Sequence, residues 1–241
     1  MNVLFKTAYL GTPFHGSQIQ KNANSVCGEI KTALETLLRH KVAITTCSRT
    51  DTGVHAREFF LTFKTNEKPD FKKLVYAVNS VTPKEIAILG AKRVPDSFNP
   101  MYAAKSKQYC YIISTAEDPF MVERACFYRK PVDIERMSAA AKYFLGTHDF
   151  STFCSKGGTI ENKTRTIKKL EIKKSGKQVK ILIEADGFLY NMVRIIVGTL
   201  LDVNEKKIQP EDISRIIAAK NRSFAGKTAP AEGLYLFKVK Y

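Results

Sequence analysis

At 241 residues, with 44% apolar and 10% aromatic side chains, the chain can bury a substantial core as one large or two small domains. Its 39 basic and 23 acidic residues give a formal net charge of +16, which favours polyanions, either nucleic acid or an acidic membrane surface. No apolar run reaches the ~18–20 residues of a transmembrane helix. The five cysteines include no C-x-x-C pair, and His15, His40, His55 and His148 are scattered, so neither a disulfide framework nor a clustered zinc set is expected.

The elements follow in order. Met1 to Lys6 alternates like a strand and lacks a signal-peptide cleavage pattern, so a cytoplasmic location is expected. Residues 3–10 are predicted as that first strand, ending in a loop punctuated by Gly11, Pro13 and Gly16. Asn24 or Ser25 is placed to cap a helix whose Val26, Ile30, Leu34, Leu37 and Leu38 share one face. Strands are predicted over 42–46 and 59–64. Asp70 caps a second helix with Phe71, Leu74, Val75 and Val78 inward, and 86–94 closes the half.

The second half reads similarly. A strand over 108–114 precedes a helix capped by Asp133, bearing Ile134, Met137, Ala141, Phe144 and Leu145 and closed by Gly146. Strands over 165–173 and 179–185 flank a turn at Ser175-Gly176-Lys177. An apolar helix over 189–203, a second over 211–219 and a strand over 234–240 follow. The order β-α-β-β-α-β appears twice, which is the ferredoxin-like motif twice over. The expected fold is therefore α+β, with related halves at 1–104 and 105–241 and a basic cleft between them. Lys163, Arg165, Lys168, Lys169, Lys173, Lys174, Lys177 and Lys180 crowd the second half's hairpin. On alternate strand positions they would form one cationic face, and an ordinary solvated lysine surface is the other reading. Phosphate binding there would be strongly salt-dependent.

Between strands 42–46 and 59–64 lies Cys47-Ser48-Arg49-Thr50-Asp51-Thr52-Gly53-Val54-His55-Ala56, longer than a tight hairpin needs. It sets one carboxylate, Asp51, near one guanidinium, Arg49. Aspartate beside glycine in a loop is also ordinary turn chemistry. Asp51-Thr52-Gly53 is the aspartic-protease tripeptide. That chemistry needs two carboxylates sharing a proton, no second tripeptide occurs, and Arg49 would hold Asp51 ionised.

The ten-residue stretch resembles the catalytic loop of the TruA family of tRNA pseudouridine synthases, usually Gly-Arg-Thr-Asp-Ala-Gly-Val-His-Ala. Ser48 and Thr52 are the two departures. Lys107-Gln108-Tyr109-Cys110-Tyr111, Gly187 to Arg194 and Ala229 to Leu236 also resemble family segments. So do Thr147 to Phe150, Lys163 to Ile167, and Phe14 to Gln20, although Leu10 replaces the aspartate of the family's Tyr-Asp-Gly-Thr turn. The resemblance spans the chain nearly end to end.

It implies an isomerase acting on tRNA at positions 38, 39 and 40 of the anticodon stem-loop, without cofactor or metal, as a homodimer. The implied catalytic residues are Asp51 as nucleophile, Arg194 and Tyr109. A facing arginine would lower the carboxylate's pKa by roughly 1–3 units, and Arg194 is assigned to that place. Arg49 is left to phosphate or to structure. Tyr109, Arg49, Arg165 and Leu234 are the implied substrate-binding residues. Read without the resemblance, Tyr109 and Leu234 are core, Arg194 snorkels or pairs structurally, and Gln18 and Gln20 are surface. Attack by Asp51 at C1′ or at C6 of the base both fit a carboxylate nucleophile. A non-catalytic RNA-binding protein, or a synthase with shifted RNA targets, are the alternatives.

Overall fold

The computed structural model describes residues 1–157 and 160–241. They form two compact units: Met1–Lys105 with Tyr235–Tyr241, and Ser106–Leu234.

The first unit carries β1 (Asn2–Tyr9), α1 (Val26–Leu38), β2 (Ile44–Thr46), β3 (His55–Lys64), α2 (Phe71–Val81) and β4 (Ile86–Val94), the expected order. Strand β1 runs antiparallel to β4 on one side and to β3 on the other. Ser25, not Asn24, caps α1, its side chain accepting from the Gly28 amide; Asp70 accepts from the Lys72 and Lys73 amides to cap α2. Alternation on β1 and β3 turns Val3, Phe5, Phe59, Leu61 and Phe63 inward, and these, like Ile30 and Leu34 of α1, are all within 1% of full burial. Each such side chain contributes roughly 1.5–3 kcal/mol.

Three boundaries differ from expectation. Strand β3 starts at His55 rather than 59, because Ala56 pairs with Tyr9 across the sheet. Strand β2 is confined to 44–46, since the Val42 amide is drawn off to Glu35 Oε1 at 3.1 Å. The closing strand β10 (Leu234–Lys240) was counted in the second half, yet from Tyr235 onward it belongs to the first unit. It pairs parallel to β3 at His55 and Ala56, and its Val239 amide donates to Glu58 Oε1 at 3.0 Å.

The second unit carries β5 (Ser106–Ser114), β6 (Cys126–Phe127), α3 (Ile134–Ala141), β7 (Gly146–Asp149), β8 (Thr164–Ser175), β9 (Gln178–Ala185), α4 (Met192–Asn204) and α5 (Asp212–Ala218). Its sheet runs β5-β9-β8-β7, antiparallel throughout, with β6 parallel on the far side of β5. Strands β6 and β7 were not anticipated, being too short to show a period. Helix α4 starts three residues later than the apolar run, because Asn191 sits in the left-handed region at φ 59°. With two additional strands here and β10 assigned to the first unit, this unit does not repeat the first unit's element order. Phe144, Phe150, Phe153, Met137, Ile113 and Tyr111 form its core. Among the described residues no helix is long and apolar enough to cross a membrane.

Candidate active site

The Asp51 loop is built from the backbone outward. The Val54 amide donates to the Asp51 carbonyl at 3.1 Å, and Gly53 supplies the positive φ of 77° that this turn requires. The turn leaves Asp51 half-buried and Thr52 exposed. Turn chemistry is therefore present, and it is what presents the carboxylate.

The residue before Asp51 is locked. The Thr50 amide donates to Ser17 Oγ at 2.9 Å, the Ser17 amide donates to the Thr50 carbonyl at 3.1 Å, and Thr50 Oγ1 lies 2.8 Å from Tyr9 Oη. Gly16, at φ +85°, lies so close that a Cβ there would stand 2.5 Å from the Thr50 carbonyl oxygen. Beyond the turn, His55 is fully buried; its Nδ1 accepts from the Gly11 amide at 2.9 Å, and its ring lies 4.5 Å from that of Tyr235. Because Nδ1 accepts, the proton of neutral His55 is on Nε2. At the loop's start the Cys47 amide donates to the Phe60 carbonyl at 2.8 Å. The 9–17 segment thus grips the loop on both sides of Asp51. Arg49, two residues before Asp51, is exposed.

In the second unit three of the sequence segments converge. Arg194, in the first turn of α4, donates from Nε to the Ala229 carbonyl at 2.7 Å and from Nη1 to Asn191 Oδ1 at 2.9 Å; its own carbonyl accepts from the Ala229 amide at 3.1 Å. Pro230 O accepts from Tyr111 Oη at 2.9 Å, and a Cβ on Gly233 would stand 2.6 Å from the Tyr111 ring. Burial pushes the Tyr111 hydroxyl well above the usual phenol range, so it stays a donor. Gly226 and Gly198 let the 226–229 stretch lie directly on α4, where the Gly226 amide donates to Thr199 Oγ1 at 2.9 Å.

Tyr109 is buried on β5, its ring edge-to-face with Phe188 at 5.0 Å. Arg165 packs along Gly187, where a Cβ would meet its Nε at 3.2 Å, and its Nη1 donates to the Asn162 carbonyl at 2.9 Å and to that of Thr164. Leu234 is buried at the start of β10. The expected cationic face on β8 is interrupted: Glu171 binds Lys169 at 2.9 Å and Lys173 at 3.1 Å. Among the described residues no group of three or more His, Cys, Asp or Glu side chains is placed to hold a metal ion.

Sequence reasoning passed over Tyr9, Gly16, Ser17, Thr50 and His55 around the loop, and Tyr111 and Gly198 behind Arg194. The available signals were the glycines at 11 and 16 and the family-like stretches Phe14–Gln20 and Cys47–Ala56, which contain Gly16, Ser17, Thr50 and His55.

A family model described as tRNA pseudouridine synthase matches residues 140–241. Over 242 aligned residues the chain is 45% identical to tRNA pseudouridine synthase A of Thermoanaerobacter sp. (strain X514), covering 100% of this chain and 99% of that one. The chain belongs to the tRNA pseudouridine synthase A family. It is accordingly an isomerase of the pseudouridine synthase type. Other relatives include tRNA pseudouridine synthase A 2 of Clostridium perfringens (strain 13 / Type A), 41% identical over 100% of this chain and 99% of its own. That of Halalkalibacterium halodurans is 43% identical over 95% of this chain and 88% of its own. Among solved structures, a chain of a Cbf5-Nop10-Gar1 complex aligns over 98% of this chain and 49% of its own, at a TM-score of 0.41 and 10% identity, a likeness too distant to bear on the site.

Proposed function

We propose that this chain isomerises uridine to pseudouridine at positions 38, 39 and 40 of the tRNA anticodon stem-loop, with Asp51 as nucleophile. The observation that carries the reading is the Asp51 carboxylate presented on a braced turn, in a chain 45% identical end to end to a tRNA pseudouridine synthase A. Asp51 is the single carboxylate between Glu35 and Glu58.

The chemistry asks little beyond what these residues supply. The C1′–N1 bond breaks, the freed base turns, and C5 bonds to C1′ while losing its hydrogen as a proton and N1 takes up a proton in its place. An ionised carboxylate adds to C1′ or to C6 and leaves again, so no electrons are gained or lost. The base must leave its stack first, at a cost of a few kcal/mol. A net charge of +16 supports holding the flanking phosphates against that cost. Arg194 and Tyr109 are assigned to the same reaction. Arg194 is suited by having two of its donors fixed in place, Tyr109 by an aromatic face and a hydroxyl able to relay a proton. Arg49, Arg165 and Leu234 are assigned to substrate binding. The reading further implies a cytoplasmic homodimer that works without cofactor.

A second reading, a synthase with shifted RNA targets, is favoured by Ser48 and Thr52 in the loop and Leu10 in the turn after β1, where the chain departs from the usual family pattern.

The test is tritium release from tRNA labelled at C5 of uridine, comparing wild type with Asp51→Asn. Release by wild type alone, with pseudouridine mapped to 38–40 and tRNA binding kept by the variant, is the expected outcome. Release by Asp51→Asn at the wild-type rate overturns the nucleophile. Product at other positions moves the conclusion to the second reading.

A further inference from the structure

The segment Gln18–Asn22 has no part in the site as described, yet it is fastened to it. Ser17 and Gly16 are clamped on Thr50, so Gln18 leaves the loop's anchor one residue beyond the contact with Asp51's neighbour. The return path is equally fixed. The His15 amide donates to the Asn24 carbonyl at 3.0 Å, Asn24 Nδ2 donates to the Pro13 carbonyl at 2.9 Å, and Gln20 Nε2 donates to the His15 carbonyl at 2.7 Å. The Val26 and Cys27 amides then donate to the Gly16 and Ser17 carbonyls, both at 3.2 Å, where α1 begins. The result is a compact closed loop with both ends tied down and a displayed tip.

The tip displays amides and one aliphatic side chain. Gln18, Gln20, Lys21 and Asn22 are exposed, and Ile19 is 45% exposed. One exposed isoleucine is ordinary by itself. Here it stands between two glutamines on a loop tied at both ends, two residues from Ser17, whose hydroxyl accepts from the amide of Asp51's neighbour Thr50. No aspartate or glutamate precedes Glu29, so no carboxylate of this segment repels a phosphate backbone. Amides match the donor and acceptor edges of unpaired bases and the ribose 2′-hydroxyl, and aliphatic wedges enter base steps that have lost a stacking partner.

We propose that Gln18–Asn22 is an RNA-contacting tip, with Ile19 packing on the base next to the extruded uridine and Gln18 hydrogen-bonding that nucleotide. This rests on the isomerase acting on an RNA stem-loop, as proposed above. Ile19 takes up the stacking face that the extruded base gives up, so it acts on extrusion more than on overall affinity.

The experiment compares wild type, Ile19→Ala, Ile19→Phe and Gln18→Ala on a tRNA transcript. It reads the single-turnover rate, the Kd measured in an Asp51→Asn background, and the fluorescence of a transcript with 2-aminopurine beside the target uridine. Both side chains replaced are exposed, so melting temperatures should match wild type. Ile19→Ala is expected to slow single turnover about tenfold, as loss of part of an unstacking contribution would. Its Kd should change less than about threefold, with a diminished 2-aminopurine signal. Ile19→Phe should restore both rate and signal, which a merely structural role would not predict. Rates and fluorescence of Ile19→Ala and Gln18→Ala equal to wild type overturn the inference while leaving the isomerase reading standing. A wild-type protein that turns over no tRNA overturns the isomerase reading, and this inference with it.

Discussion

The hydroxyl of Tyr9, the last residue of β1, lies 2.8 Å from that of Thr50, the residue before Asp51. Both side chains are buried, so this contact ties the Asp51 loop to β1, an inner strand of the first unit's sheet.

Tyr9→Phe removes that tie and leaves Thr50 Oγ1 without its partner. Losing one member of a buried hydrogen bond should lower stability by about 1–3 kcal/mol. Because the loop would be less well held, kcat should fall more than KM rises. Thermal melting and steady-state kinetics check both parts.

Gly16→Ala should be far more damaging than Gly157→Ala. Both glycines have positive φ, at +85° and +91°, so both substitutions carry the left-handed penalty of roughly 1–2 kcal/mol. Only at Gly16 does the added methyl meet backbone, 2.5 Å from Thr50 O; at Gly157 nothing lies within 4 Å. Gly16→Ala should therefore displace Thr50 and Asp51 and abolish most turnover, while Gly157→Ala loses stability alone. Parallel activity and denaturant-unfolding measurements separate the two.

Gly198→Ala places a methyl group onto the Lys227 carbonyl oxygen, where the 226–229 stretch lies on α4. The stretch must lift, and with it the Ala229 carbonyl that Arg194 Nε uses. Destabilisation should reach the upper end of the roughly 1–3 kcal/mol typical of overpacking. Activity should fall even at temperatures where the variant is fully folded, as circular dichroism alongside the tritium assay would reveal.

Glu205 accepts from Lys130 at 2.7 Å, from Lys207 at 2.9 Å and from Tyr128 Oη at 3.0 Å, and these contacts, Lys130 foremost, draw its carboxyl from 4.5 down to about 2. A folded-state pKa below the unfolded one stabilises fully above about 4.5, and that contribution disappears as pH falls toward 2. Glu205→Gln should flatten the acid limb of the stability curve in that window. Urea unfolding of both proteins at pH 6 and at pH 3 checks it; an undiminished difference between the two pH values in the variant rules the contribution out.

Much was legible in the chain alone because it is local. The 3.6-residue spacing on α1 and α2, the capping side chains of Asp70 and Asp133, and the alternation of β1 and β9 are set by near neighbours, and they place the elements to within a few residues. The motif stretch around Asp51, with its glycine at 53, singled out the loop proposed here to react, and a charge of +16 pointed to a polyanion.

What tertiary structure alone decided are relations between residues far apart in the chain. Strand β10 belongs with β3 because their backbones pair at Tyr235 and His55, 180 positions apart, which no local period can announce. Tyr9, Ser17 and Gly16 became parts of the site only when the chain folded back over Thr50. Arg49 and Arg194 are arginines whose surroundings the sequence does not show. One ends exposed, and the other is fixed between Asn191 and Ala229, because only the fold determines which backbone carbonyls stand within reach of a guanidinium.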